Sequence, residues 1–458
     1  MNRVDRLIST PPIPALAQAF TDAGRQLYLV GGPVRDLLLG RPAADLDFTT
    51  DARPPQVKGL LLRAGADHIF SIGEKFGTIG GIFDEHTIEI TTYRAEQYEP
   101  GSRKPTVEFG DSLEGDLSRR DFTINAMALD VSSRELVDPF GGQDDLDARQ
   151  VRAVGVAEDR FEEDPLRLLR GVRLSVQLAF EIEPATRRAI AARADTLATI
   201  SRERVAQEMA KILTSRLAGL GIRVLTDLGL MRQIVPEVLA MQGMLQDASY
   251  HHKDVFEHTV QVVDQTPPRL IARWAALLHD IAKPRTRTVD DGVVHFYGHD
   301  HLGMLMSRKI LHGLKLDRES IDRVALLVAM HQRANSYEED WTDGAVRRFI
   351  REAGDALEDL LDLSAADVTS RRQERRRAAD ARVSALRLRI EEILEQEQVE
   401  KLASPLDGNE LMAMFDRPPG PWIKQVKDRL LAAVLDSEIA PDDKEAATKI
   451  AREMLAGD

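Results

Sequence analysis

No cysteine occurs among the 458 residues, which rules out disulfides, thiolate metal sites and a cysteine nucleophile together. No apolar run approaches the ~18–20 residues that a membrane span requires. The opening stretch Met1–Ala19 carries two arginines, but Pro11, Pro12 and Pro14 interrupt the apolar core that a signal peptide needs. A cytoplasmic location is the expectation. A surplus of basic charge is missing as well: the formal net charge is −14. Phosphates are held by Lys and Arg, so any nucleic-acid contact must fall on local clusters. What is present is the composition of a soluble globular protein, 43% hydrophobic and 30% charged. The length suffices for two to four domains with sizeable cores.

The first ~140 residues mix strand and helix signals. Leu27–Val30 reads as a short apolar strand, Gly31-Gly32 as a turn, and Pro33–Leu39 as a helix closed by Gly40. Leu46–Phe48 is strand-like, and Thr78–Phe83 and Thr87–Tyr93 flank the polar turn Asp84-Glu85-His86 as a hairpin does. From about residue 160 the strand signals stop, and Pro165–Phe180, Glu203–Leu213, Arg269–Ala282 and Gln373–Glu397 show helical spacing. The expected class is α+β, a mixed-sheet head followed by a long all-helical body. Seams are expected near Gly155, Gly243–Ser249 and Tyr337–Thr342.

Asp45-Leu46-Asp47-Phe48 sets two carboxylates two residues apart, hence on one face of a strand. Carboxylate oxygens are the donors that magnesium prefers. Glu89, between Ile88 and Ile90, supplies a third carboxylate if its strand neighbours that one; such a cluster can clamp two ions. Upstream, Gly31-Gly32 opens a helix, where backbone can approach a phosphate and the helix N-terminus favours negative charge. Arg35 lies one turn further on. An isolated aspartate pair is usually a solvated turn; the order and spacing of these parts carry the information.

The stretch Leu29-Val30-Gly31-Gly32-Pro33-Val34-Arg35-Asp36, then Asp45-Leu46-Asp47-Phe48, resembles the opening signature of the tRNA nucleotidyltransferase and poly(A) polymerase family. Arg119-Arg120-Asp121-Phe122-Thr123-Ile124-Asn125-Ala126 resembles its second signature. Glu163-Asp164-Pro165-Leu166-Arg167-Leu168-Leu169-Arg170-Gly171-Val172-Arg173 resembles its base-recognition helix, and Ser201-Arg202-Glu203-Arg204-Val205 a further neck segment. The resemblance implies catalytic metal binding by Asp45 and Asp47. It implies nucleotide contacts by Gly31, Gly32 and Arg35, sugar and phosphate contacts by Arg120 and Asp121, and base and triphosphate contacts by Asp164, Arg167, Arg170 and Arg173. Pro33 and Gly171 stand where relatives often carry a small or alanine-like residue.

Asp164 and Arg167 are three apart, neighbours on one face if that turn is helical. A carboxylate only accepts hydrogen bonds and a guanidinium only donates. Cytosine and adenine present an amino donor beside a ring-nitrogen acceptor, complementary to that pair; uracil and guanine present the reverse. An ordinary helix salt bridge is the bland alternative. Arg170 and Arg173 add like charge to the same face, which points to an anion such as a triphosphate.

Nine of the eleven histidines fall between His251 and His331. Imidazole and carboxylate donors on several helices are what a transition metal needs. Leu277-Leu278-His279-Asp280-Ile281-Ala282-Lys283-Pro284 resembles the HD metal-dependent phosphohydrolase domain, with His258, His279, Asp280 and His299 as expected ligands and His331 as a further candidate. The run Arg371-Arg372-Gln373-Glu374-Arg375-Arg376-Arg377 is either a solvated face or an RNA contact. The resemblance thus implies a head over 1–155, a helical neck over 156–245, an HD domain over 246–340 and a tail over 341–458. It implies addition of CCA to tRNA from CTP and ATP with two Mg2+ ions in the head and a transition metal at the HD site, away from any membrane. A poly(A)-, CC- or A-adding relative would share these motifs. A phosphohydrolase with an RNA-binding head is the alternative of another class.

Overall fold

Four consecutive apolar residues form β1 (Leu27–Val30), buried along its whole length, as expected of a strand covered on both faces. The structure, a computed structural model, describes residues 3–42, 46–71, 74, 77–84, 86–97, 106–110, 112–244, 254–291, 293–338, 340–368, 373–401, 404–435, 438–440 and 442–456. Helices α1 (Arg3–Ile8) and α2 (Ile13–Asp22) precede β1, and α3 (Gly32–Leu39) follows it. Gly31 takes φ 76° between strand and helix, a conformation that glycine adopts without strain. Gly40, also left-handed, ends α3 by donating its N–H to the carbonyls of Asp36 and Leu37.

β1 lies inside a seven-stranded mixed sheet. Its other strands are β2 (Leu46–Thr50), β3 (His68–Phe70), β4 (Thr78–Phe83), β5 (His86–Thr92), β8 (Ala128–Asp130) and β9 (Leu136–Val137), in the order β3-β4-β5-β2-β1-β8-β9. Two further strands, β6 (Arg94–Gln97) and β7 (Thr106–Phe109), form a separate ribbon. The expected hairpin is β4 and β5, with Phe83 paired to His86. β2 runs parallel to β5. Helix α4 (Pro54–Arg63) buries Val57, Leu60 and Leu61, and α5 (Leu113–Ser118) leads into the segment Arg119–Asn125.

After α6 (Gly142–Asp147) and the two-residue strand β10 (Gln150–Val151) come α7 (Ala157–Glu163) and α8 (Leu166–Leu178). Strand signals do not stop at 160: β11 (Glu181–Ile182) pairs with β10. Two-residue strands are too short to leave an alternating pattern, which is why the sequence hides them. Helices α9 (Pro184–Arg193), α10 (Arg202–Leu213), α11 (Ala218–Asp227) and α12 (Met231–Ile234) follow. α8 is buried at Leu166, Leu168, Leu169, Val172 and Val176 among others. A side chain at Gly171 would begin 3.1 Å from the Phe122 ring and 3.3 Å from Ile190, so the departure at this position belongs to close packing of α8 on the head.

The next region contains α13 (Val255–Gln265), α14 (Leu270–Leu278) and α15 (Lys283–Thr286), then the hairpin β12 (Thr288–Asp290) and β13 (Val293–His295). Helices α16 (His299–Gly313) and α17 (Arg318–Asn335) complete it. α14 is buried from Ala272 through Leu278, apolar there except for Arg273. It is shorter than the expected Arg269–Ala282 and releases the chain just before His279.

The chain divides into two compact units, Met1–His331 and Gln332–Asp458. The second holds α18 (Asp343–Ala353), α19 (Leu357–Ala366), α20 (Gln373–Lys401), α21 (Gly408–Phe415), α22 (Pro421–Leu435) and α23 (Lys444–Ala456). Leu406, Leu411, Val426, Leu430, Ala447 and Ala451 form a core there. On α20, Arg387 pairs with Glu358 and Asp362, and Arg389 with Asp343. Arg371 and Arg372 lie outside the described residues. No helix among the described residues is long and apolar enough to cross a membrane.

Candidate active site and metal centre

Strand pairing brings two of the three expected head carboxylates together. Asp47 on β2 and Glu89 on β5 are register partners, so they project from the same face of adjacent strands about 4.8 Å apart. Both are exposed, while Phe48, Ile88 and Ile90 point into the core. Asp45 lies outside the described residues. Oxygen-only donors standing in water suit magnesium, which keeps several of its own water ligands.

Beside this pair, β1 delivers Gly31 and the N-terminus of α3. Arg35 donates from Nε and Nη2 to Asp36 at 3.0 and 2.9 Å, and from Nη1 to Asn125 Oδ1 at 2.8 Å. Asn125 in turn donates to Asp121 at 3.2 Å. Arg120 Nη1 lies only 3.2 Å from where a Gly31 side chain would start, so glycine is what allows the guanidinium this close. Arg120 Nε is buried and makes no hydrogen bond among the described residues. A buried donor without an acceptor is costly, and an anionic ligand would satisfy it.

The arginines of α8 stand differently from the expectation. Asp164 is extended, with φ −143° and ψ 101°, because the ring of Pro165 excludes the preceding residue from the helical region. It is therefore not on the same helical face as Arg167, although its carbonyl accepts the Arg167 N–H at 3.0 Å. Its carboxylate accepts the Leu166 N–H at 3.0 Å and Arg204 Nη2 at 2.8 Å. Arg167 donates to Glu163 at 2.6 Å and to the Arg119 carbonyl at 2.8 Å. Arg170 pairs with Asp121 at 2.5 Å and Arg173 with Glu208 at 3.2 Å. The three like charges are thus met by carboxylates, which corrects the inference that only a bound anion could gather them. Two atoms remain unmatched: Arg173 Nε and Glu208 Oε2 are buried and make no hydrogen bond among the described residues. Burial would push the Asp121 carboxyl up, but Arg170 holds it below the ordinary carboxylate value. Arg170 is raised by the same partner, while desolvation lowers Arg173.

The histidines form a second, separate centre. His258 from α13, the His279-Asp280 pair after α14, His299 at the start of α16 and His331 in α17 are all buried. His258 Nε2 and His279 Nε2 are 3.2 Å apart, and they lie 3.4 and 3.2 Å from Asp280 Oδ2. His299 Nε2 is 3.5 Å from Asp280 Oδ1, which makes no hydrogen bond among the described residues. Donor atoms bound to one ion at about 2.0–2.1 Å sit roughly 3.4 Å apart at a tetrahedral angle, so this spacing fits a metal. The orientation fits too. His279, His299 and His331 each aim Nδ1 at the carbonyl three residues earlier, at 2.8, 2.7 and 2.7 Å. A carbonyl can only accept, so Nδ1 carries a proton and each ring turns its Nε2 toward the cluster. Lys283 Nζ, 2.6 Å from Asp280 Oδ2, supplies one positive charge at the edge.

Sequence reasoning missed Asp116, Asn125, Glu163, Glu208 and Lys283 as partners of these residues. Asn125, Glu163 and Lys283 stood inside recognised blocks, and Asp116 lies one helical turn before Arg119 and Arg120; only Glu208, 35 residues from Arg173, depends on long-range folding.

The poly(A) polymerase head-domain family matches residues 27–152. A family described as the probable RNA- and SrmB-binding site of polymerase A matches 179–241, and the HD domain matches 249–372. An A-adding tRNA nucleotidyltransferase of Deinococcus radiodurans is 36% identical over 421 residues, covering 88% of this chain and 90% of that protein. The chain belongs to the tRNA nucleotidyltransferase and poly(A) polymerase family. Within that family, a CCA-adding enzyme of Geobacillus thermodenitrificans is 31% identical over 425 residues, covering 91% of this chain and 90% of that one. The crystal structure of the Bacillus stearothermophilus CCA-adding enzyme with CTP superimposes with a TM-score of 0.61 at 26% identity, over 98% and 99% of the two chains. As a nucleotidyltransferase of this family the protein is an enzyme, and the recognised blocks fall within the matched domains except Glu163–Arg173, which lies in the interval between the first two.

Proposed function

We propose that the protein adds nucleotides to the 3′ end of tRNA, completing CCA from CTP and ATP without a template. The terminal hydroxyl oxygen of the RNA forms a bond to the α-phosphorus. The bond to the bridging oxygen breaks, pyrophosphate leaves with the electron pair, and the hydroxyl proton passes to solvent. The observation that carries this reading is the register pairing of Asp47 with Glu89, beside the Gly31 turn and its arginines. Asp45, Asp47 and Glu89 would hold two magnesium ions, whose chemistry there would be to acidify the hydroxyl and to neutralise charge on the leaving group. Gly31, Gly32 and the α3 N-terminus offer backbone N–H groups to the triphosphate. Arg35, Arg120, Arg170 and Arg173 surround it with donors, and Asp121 anchors Arg170 while contacting the sugar. Asp164 and Arg167 read the base.

The Deinococcus relative favours a second reading within the family, addition of A alone. Incubation with tRNA ending at the discriminator base, at C or at CC, with CTP, ATP and magnesium, separates the two. Growth of all three RNAs to CCA supports full addition; extension of only the CC-ending RNA establishes A addition. Failure to extend any of them overturns both.

The HD centre we assign to a transition metal held by His258, His279, Asp280 and His299, with His331 at its edge. The donor spacing and the inward Nε2 atoms support it. The chain is arranged as a head over 1–155, a neck over 156–245, an HD domain over 246–340 and a tail over 341–458. A cytoplasmic location accords with the cysteine-free sequence.

A further inference from the structure

We infer that Asp116 is a positioning residue for nucleotide binding, acting through Arg120; this rests on the nucleotidyl-transfer reading above. Asp116 is in α5 and has no exposed surface. Burying a carboxylate is expensive unless cations and donors meet it, and here four donors do. Arg119 approaches from Nε at 3.1 Å and Nη2 at 2.7 Å, Arg120 from Nη2 at 3.2 Å, and the Arg94 backbone N–H at 3.3 Å. Burial works to raise this carboxyl, yet the arginines hold it below its ordinary value, so it stays an anion that can hold a guanidinium.

The geometry explains what that anion does. A guanidinium is a rigid planar fork, so fixing Nη2 on one side sets the direction of the other nitrogens. In Arg120, Nη2 is fixed by Asp116, Nη1 reaches to within 3.2 Å of the Gly31 Cβ position, and buried Nε makes no hydrogen bond among the described residues. Asp116 therefore aims Arg120 at the glycine turn where the triphosphate binds. The Arg94 N–H ties the root of the β6–β7 ribbon to the same carboxylate. A carboxylate serving only to hold α5 in place would have no need to orient a guanidinium at that turn.

The test uses the full chain, magnesium, and tRNA lacking its terminal nucleotides. Asp116→Asn should raise KM for CTP and ATP alike by roughly tenfold, the effect of losing one charge-assisted hydrogen bond, with kcat within about twofold. Equilibrium binding of ATP should weaken by the same factor. In an Arg120→Ala background, Asp116→Asn should add little, since the two changes remove one interaction. Asp116→Glu keeps the charge but displaces the guanidinium, so it carries the test if the asparagine variant does not fold. An unchanged KM in a folded variant, a loss confined to kcat, or additive effects of Asp116→Asn and Arg120→Ala would overturn the inference. Absence of nucleotide incorporation by the wild-type protein would instead overturn the reading on which it rests.

Discussion

Asp164 owes its backbone to the residue that follows it. Spacing puts Asp164 and Arg167 on one face only if that turn is helical, and Pro165, equally legible, excludes that conformation at Asp164. The extended backbone sends the carboxylate to Arg204, while Arg167 turns to Glu163 and the Arg119 carbonyl. Of the three arginine partners, only Glu163 lies within a helical turn in sequence; Asp121 and Glu208 are 49 and 35 residues away from theirs. No local pattern announces such pairs. The residue types at the recognition edge were nevertheless readable, because the argument from acceptors and donors does not depend on the backbone. We expect Asp164→Ala to raise misincorporation of U or G relative to C and A. A well-placed base contact discriminates by about 1–3 kcal/mol, roughly five- to 150-fold. Ratios of kcat/KM for the four nucleotides measure this, and unchanged ratios with a uniform loss would show that Asp164 does not read the base.

At the scale of elements, strands buried on both faces and helices with clear ends were the readable parts. β1, the turn at Gly31 and the Gly40 cap stand where apolar runs and glycines put them. The neighbouring of β2 and β5 could only be stated as a condition, because parallel pairing is set by topology and leaves no local mark. The two-residue strands β10 and β11 were illegible for lack of length. The break between α7 and α8 is an element with a purpose, since it separates the acceptor of the recognition edge from the helix that carries the donor. Pro165→Ala should let the two helices run together and draw Asp164 into helical φ/ψ. The expected result is a protein of wild-type or slightly greater thermal stability that discriminates less between CTP or ATP and UTP or GTP. Crystallography of the variant reports the backbone at 164, and single-nucleotide incorporation reports selectivity. A helical Asp164 with unaltered selectivity would mean that the break serves packing alone.

Across the whole molecule, two chemistries occupy one chain without sharing a residue. The head uses the exposed carboxylates Asp47 and Glu89 and arginines met by buried carboxylates, Asp116 serving both Arg119 and Arg120; the HD centre uses buried imidazoles around Asp280. Clustered histidines made the second centre visible in sequence. Their convergence from α13, α14, α16 and α17 was not, because it depends on helix packing over some 70 residues. A metal held by donors that converge only in the folded chain couples its binding to folding. A ligand at 100 times its Kd stabilises by about 2.7 kcal/mol. A transition-metal chelator should therefore lower the wild-type Tm by several degrees. His279→Ala, which removes an Nε2 donor and the contact it makes with His258, should start from a lower Tm and lose its response to the chelator. Metal analysis should find the bound ion gone in this variant. Nucleotide addition with magnesium present should remain near the wild-type rate, since none of the residues assigned to nucleotidyl transfer is a ligand of this centre. A chelator-insensitive wild-type Tm together with metal-free protein after reconstitution would mean that the cluster is held by its own hydrogen bonds and Lys283. Loss of nucleotide addition in a folded His279→Ala protein would instead show that the two centres are coupled.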